Sequence, residues 1–364
     1  MIIGHGDDIH SETMETIINF SSNVADYNPS SDLIRHLQAT MHKINRYTEP
    51  AASSACRAIA RLERVSAENI IATNGAVEAI YMVAREFYGA KSAIVVPTFR
   101  EYQDSCVLNQ HQVVFIPNTL NIVEIAHKVN QLNCNLLWLC NPNNPDGKHY
   151  THSEIMFLSA SLINVTIVID NSYSWFCEER TIGIDQMCNT NNIITISSLT
   201  KKHTIPGLRA GFIAASERLI SKLKRQTVPW SLNSLAVEAI CFIEQNNPQS
   251  FDDKSHLNNL LKERRAMVDN LLQLSSPRGS ISIKPTTTHY FLGHLESDSS
   301  ANLKQYLLQN HNLLIRDASN FETLSSGHFR VAVRPSTEDN DKLIKGISEY
   351  LNLKKKITQQ KQTK

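Results

Sequence analysis

A chain of 364 residues exceeds the size at which a single hydrophobic core usually stops growing, so two domains are expected. With 41% hydrophobic and 20% charged residues and a formal net charge of +1, the composition argues against a disordered chain and a polyanion-binding surface. A small molecule, not a nucleic acid, is the expected partner.

No apolar run approaches bilayer-spanning length, and Met1-Ile2-Ile3-Gly4-His5-Gly6-Asp7-Asp8 lacks the basic and apolar regions of a signal peptide. No membrane association and a cytoplasmic location are therefore expected. From residue 69 onward, short apolar runs recur at 69–72, 93–96, 113–116, 136–139, 166–169, 193–196 and 211–214. Each is strand-length and continuous, as expected where helices cover both faces of a mainly parallel sheet. Helical patterns at 76–87 and 121–131 alternate with them. The reading is an α/β large domain of about seven strands over 31–240, preceded by an N-terminal segment, 1–30. Beyond it, a polar helix pattern at 255–274 and strand-like runs at 281–283, 289–292 and 329–334 predict a smaller α+β domain over 241–352. The polar tail 353–364 is expected to fray. Seven cysteines, odd in number and without a CxxC pair, read as reduced thiols and not as disulfides or metal ligands.

Candidate chemistry falls just after the apolar runs, where open α/β sheets gather their ligands. Lys201 follows Ser198-Leu199-Thr200 and precedes Arg209 by eight residues. A lysine among cations is a potential amine nucleophile toward a carbonyl cofactor, and the hydroxyls with Arg209 suit a phosphate dianion. Taken alone, the segment could be a surface turn. Asn74-Gly75-Ala76-Val77-Glu78 opens a helix after the first strand, where backbone N–H groups can hold a phosphate, or where a plain turn can sit. Phe99, in Pro97-Thr98-Phe99, could stack on an aromatic cofactor or fill the core. Cys140-Asn141-Pro142-Asn143-Asn144-Pro145-Asp146-Gly147 is a proline-constrained turn able to hold Asn144 rigidly. Asp170 ends a strand, where it could cap a turn or pair with a protonated pyridine nitrogen.

In this order the motifs resemble the fold-type-I pyridoxal-phosphate enzymes of the class I/II aminotransferase superfamily, over about residues 1–345. The resemblance implies pyridoxal 5′-phosphate bound as a Schiff base to Lys201, with Asp170 on the pyridine nitrogen and Phe99 stacked on the ring. Asn144 and Tyr173 would bind the phenolic oxygen. Gly75, Ala76, Val77, Ser198, Thr200 and Arg209 would cradle the phosphate. Tyr47 resembles the tyrosine that reaches the phosphate of the neighbouring subunit, which implies a homodimer.

Further features resemble the threonine-phosphate decarboxylase branch of that superfamily. These are Gly4-His5-Gly6, Asn19-Phe20-Ser21-Ser22-Asn23, Ser198-Leu199-Thr200-Lys201 with Ile205-Pro206-Gly207-Leu208-Arg209, and Leu314-Ile315-Arg316 with Arg330-Val331-Ala332-Val333-Arg334. The N-terminal arm would then contribute to the active site. His5, Gly6, Asn23, Arg316, Arg330 and Arg334 would bind a phosphorylated amino acid. Decarboxylation of O-phospho-L-threonine is the expected reaction, and histidinol-phosphate transamination the alternative. The sequence departs from the pattern at Asp7, Asn171-Ser172, Val77 and Asp146, none of which removes a catalytic group.

Overall fold

A computed structural model describes residues 17–26, 28–246, 254–274, 281–296 and 298–362. They form two compact units. The larger holds Val24–Asn144 and the chain from His149 through the helix Ser234–Asn246. The smaller joins the described residues up to Asn23, the stretch Pro145–Lys148, and the chain from Lys254 onward. The expected His5 and Gly6 lie outside the described residues.

Strand β1 (Ile18–Asn19) belongs to the smaller unit. The larger unit carries β2 (Ile70–Asn74), β3 (Lys91–Val96), β4 (Gln112–Pro117), β5 (Leu136–Cys140), β6 (Thr166–Asp170), β7 (Ile193–Ser198) and β8 (Ala210–Ala215) in one sheet of order β2-β8-β7-β6-β5-β3-β4. Pairings among β3, β4, β5, β6 and β7 are parallel, while β8 runs antiparallel to both neighbours, β2 and β7. Every residue of β5 and β8 is buried, which is why these strands read as unbroken apolar runs. Their side chains join Ile59, Ile125, Ile155 and Leu158 of the covering helices in one core. The helix Ser234–Asn246 adds Ala236 and Ile240 to the same core, so the larger unit extends past residue 240 to the end of this helix.

From β3 the chain moves outward to β4 and then returns to β5 on the other side of β3. This reversal creates a crevice beyond the carboxyl ends of β3 and β5, the position at which open α/β sheets hold ligands. Phe99 follows β3 and Asn144 follows β5, so both stand at this reversal.

In the smaller unit, β9 (Ile281–Ile283), β10 (Tyr290–Leu295), β11 (Leu313–Leu314), β12 (Arg316–Asp317) and β13 (His328–Ala332) follow in chain order. Four form an antiparallel sheet of order β12-β13-β10-β9, and β11 pairs in parallel with β1. Helices Lys254–Leu274, Ser300–His311 and Thr337–Gln362 cover it, burying Met267, Leu271, Leu303 and Leu343 against Phe291 and Phe329. Phe20 bridges two elements through its backbone: its N–H donates to Leu314 (2.8 Å) and its carbonyl accepts from Ala332 (2.8 Å). The last helix continues to Gln362, so the tail expected to fray is helical over most of its length. No helix among the described residues is long and apolar enough to cross a membrane.

Candidate active site

In the larger unit, residues at the ends of β2, β3, β5, β6 and β7 line a common recess. Lys201 lines it, in the turn that follows β7. Ser198, the last residue of β7, accepts the Thr200 N–H on its hydroxyl (3.3 Å), and the two hydroxyls lie 2.6 Å apart. The Lys201 carbonyl accepts the N–H of Ala25 (3.1 Å), fixing the backbone from which the amine extends.

The register of β2 against β8 sets Asn74 opposite Ala210 and Thr73 opposite Gly211. Gly75 therefore arrives beside Arg209. A side chain at Gly75 would overlap the Arg209 guanidinium, and its φ of +78° is one that glycine adopts at little cost. A Cβ at Gly211 would lie 2.7 Å from the Ala76 nitrogen. Ala76 and Val77, at the start of the helix Gly75–Glu86, line the recess together with Ser198, Thr200 and Arg209.

Opposite in sign is Asp170, only 5% exposed at the end of β6. Its Oδ1 accepts the Ser172 N–H (2.9 Å) and its Oδ2 accepts the Tyr102 hydroxyl (2.6 Å). Burial pushes its carboxyl above the usual range, while these donors and the Lys201 charge oppose that rise. Tyr102 is itself fully buried, and burial together with the Asp170 charge lifts its hydroxyl well above the ordinary tyrosine value. It stays a neutral donor. The Tyr102 ring stacks on Trp138 (5.5 Å, 17°) and meets Phe99 edge-on (5.8 Å, 84°).

Phe99, Asn144 and Tyr173 also line the recess. The loops carrying the first two are tied together: Thr98 donates to Asn143 Oδ1 (2.8 Å), and Asn143 Nδ2 donates to the Pro97 carbonyl (2.9 Å). Sequence reasoning missed Tyr102, Cys140 and Ser172, which share this recess. The available signal for Tyr102 was its spacing, three residues after Phe99. Tyr47 does not line the recess; it is 91% exposed, with its ring 5.8 Å from that of Trp230.

The smaller unit concentrates buried positive charge. Arg316 and Arg330 are direct partners across β12 and β13, and both are buried, as is Arg334 beyond β13. Arg316 donates to Asn320 Oδ1 (2.7 Å) and to the Asp317 carbonyl, with its guanidinium 5.4 Å from the Phe321 ring. Arg330 donates to the Ser21 carbonyl and lies 6.0 Å from the Tyr290 ring. Wholly buried His289 is held well below its ordinary pKa by burial first and then by Arg334 and Arg330, so it adds no charge near neutral pH. Asn23 is 2% exposed, and neither atom of its amide has a hydrogen-bond partner among the described residues. Orphaned buried amide atoms point to a ligand.

The family model described as aminotransferase class I and II matches residues 15–347. The chain belongs to the class I and II aminotransferase family. It is an enzyme, and its cofactor is pyridoxal 5′-phosphate. Among solved structures it is similar to the L-threonine-O-3-phosphate decarboxylase of Porphyromonas gingivalis, with 32% identity and a TM-score of 0.86 over 92% of this chain and 100% of that one. It is also similar to the threonine-phosphate decarboxylase of Salmonella typhimurium, 27% identical over 93% of this chain and 92% of that one. The histidinol-phosphate aminotransferase of Methanocaldococcus jannaschii is 23% identical over 93% and 90%.

The recess of this family member fits the cofactor on its own chemistry. Gly75 leaves room for the Arg209 guanidinium beside the first N–H groups of its helix, and with the Ser198 and Thr200 hydroxyls these donors suit a phosphate. A buried carboxylate at Asp170 can pair with a protonated ring nitrogen, and the Lys201 amine can bond to the aldehyde.

Proposed function

We propose that this enzyme is a cytoplasmic homodimer that decarboxylates O-phospho-L-threonine to (R)-1-amino-2-propanol O-phosphate, a step of cobalamin biosynthesis. The observation that carries the reading is the direct pairing of buried Arg316 with Arg330, with Arg334 buried four residues further along the chain from Arg330. Like charges facing one another across strands repel, and a bound dianion would stabilise that arrangement. The phosphate of a phosphorylated amino acid has that charge. The resemblance to decarboxylases of threonine phosphate supports the same substrate.

When bound, the cofactor supplies an electron sink for whichever substrate bond stands perpendicular to its ring. The arginines then choose the reaction. With Arg316 and Arg334 on the phosphate, the carboxylate would be the group left free to depart as carbon dioxide, and Lys201 Nζ would return a proton to the α-carbon. With Arg334 on the carboxylate, the α-hydrogen would be removed instead and Lys201 Nζ would carry that proton, as transamination requires. Asp170, held by Tyr102 and Ser172, would pair with the protonated ring nitrogen. Gly75, Ala76, Val77, Ser198, Thr200 and Arg209 would bind the cofactor phosphate, Asn144 and Tyr173 its phenolic oxygen, and Phe99 its ring. Arg330 and Asn23 complete the substrate contacts, together with His5 and Gly6 of the N-terminal arm.

A second copy of the chain accounts for Tyr47. It stands with Ile44 and Trp230 among exposed apolar side chains of the larger unit, a surface that a partner would cover. In the dimer Tyr47 would reach the partner's cofactor phosphate.

Incubation of the holoenzyme with O-phospho-L-threonine tests the reaction. Release of carbon dioxide without an added 2-oxo acid is expected. Absence of release, with glutamate formed from histidinol phosphate and 2-oxoglutarate, would overturn it in favour of an aminotransferase.

A further inference from the structure

Arg334 lies two residues beyond the end of β13, where the sheet pairing stops, yet its backbone is tightly held. Asn340, in the helix Thr337–Gln362 and 2% exposed, uses its side chain as a surrogate strand. Its Oδ1 accepts the Arg334 N–H (3.1 Å), and its Nδ2 donates to the Arg334 carbonyl (2.9 Å). The same Nδ2 donates to Glu263 Oε2 (2.9 Å) on the helix Lys254–Leu274. Glu263 Oε1 accepts the Thr337 hydroxyl (2.8 Å), and Asn259, one helical turn before Glu263, donates to the Pro335 carbonyl (3.1 Å). Pro335 has no N–H to satisfy. Two helices thus hold every main-chain polar group of residues 334 and 335.

We propose that Asn340 is a positioning residue for the substrate anion, with Glu263 fixing Asn340 in turn. The proposal rests on the reading of Arg334 given above. A guanidinium binds an oxyanion through two parallel N–H groups only when its plane is aligned, and misplacement by about 1 Å can cost about 100-fold. Arginine has a long side chain with many rotamers, so alignment depends on a fixed origin. Asn340 supplies that origin without touching the ligand. A cap serving only to start the helix would not need to engage both polar groups of Arg334.

The test uses holoenzyme variants and the dissociation constant of O-phospho-L-threonine, read from the cofactor's visible absorbance, alongside KM and kcat. Asn340→Ala is expected to weaken binding and raise KM about 10-fold or more, while cofactor affinity stays at the unsubstituted value. Glu263→Ala should give a smaller rise, and Glu263→Gln, which keeps an acceptor for Asn340 Nδ2, should recover most of it. In an Arg334→Ala background the Asn340 effect should vanish, because the two act on one interaction. If Arg334→Ala leaves binding unchanged, the reading of Arg334 fails and the proposal with it. If Arg334→Ala weakens binding but Asn340→Ala only lowers the melting temperature, or the two effects add, the positioning role alone is overturned. Should Asn340→Ala fail to fold, the two Glu263 variants decide: equal binding in both refutes the role.

Discussion

Tyr102→Phe removes one hydroxyl and leaves a ring that can still stack on Trp138 and meet Phe99 edge-on. What is lost is the 2.6 Å hydrogen bond to Asp170 Oδ2. A hydrogen bond to a charged group contributes about 1.5–3 kcal/mol, and one pKa unit is about 1.4 kcal/mol, so the Asp170 pKa should climb by about 1–2 units. Burial has already raised it above the unfolded value. A folded carboxyl with a raised pKa holds its proton longer than the unfolded one, so stability falls as pH rises from the unfolded value through the folded one. Removing the donor widens that window. The apoprotein of the variant should therefore lose about 1.5–3 kcal/mol at pH 7 and almost nothing below the unfolded pKa. In the holoenzyme, weaker ionisation of Asp170 should reduce kcat/KM about 10-fold or more and weaken cofactor affinity. Thermal melting of the apoprotein across pH, with a kcat/KM profile, checks both. Apoprotein melting curves equally displaced at every pH would refute the reasoning, since the loss would then come from packing and not from the carboxylate.

Asp170→Asn removes the buried charge altogether, so its apoprotein should melt higher than the parent at pH 7 while catalytic activity falls by orders of magnitude; a lower melting temperature would contradict the pKa direction. Gly75→Ala places a Cβ on Arg209 at a φ of +78°, and cofactor affinity measured by reconstitution should fall about 10-fold or more. Lys201→Ala should retain no cofactor after borohydride reduction and denaturation, as mass spectrometry would show, where the parent retains it covalently. Tyr47→Ser with Trp230→Ser should shift sedimentation from dimer to monomer at low protein concentration.

The large sheet was legible because its inner strands are buried on both faces and carry continuous apolar runs, while β4 at the edge is only partly buried. An apolar run has no direction, however, and nothing in Ala210–Ala215 announced that β8 runs against its neighbours. Asp170, Asn144 and Lys201 were readable because strand ends in such sheets are where polar residues gather around a ligand. Tyr102 was not, since an aromatic residue in a first helical turn looks like core until its hydroxyl is seen on a carboxylate. The individual arginines stood out, but the pairing of Arg316 with Arg330 depends on a two-residue strand that no periodicity can reveal. Asn340 was hidden for another reason: an asparagine near a helix start reads as turn chemistry, and its work on Arg334 is visible only in three dimensions.

The β2–β8 pairing also dictates when the site can exist during synthesis. Gly75 and Arg209 belong to the two flanks of that pair, and β8 ends only at Ala215. A growing chain therefore cannot bring Gly75 against Arg209, where the cofactor phosphate is proposed to bind, until the ribosome has released residues through Ala215, however well the earlier strands have formed. Cofactor capture by ribosome-bound chains of increasing length should begin only after that point, making the vitamin a reporter of when the nascent sheet closes.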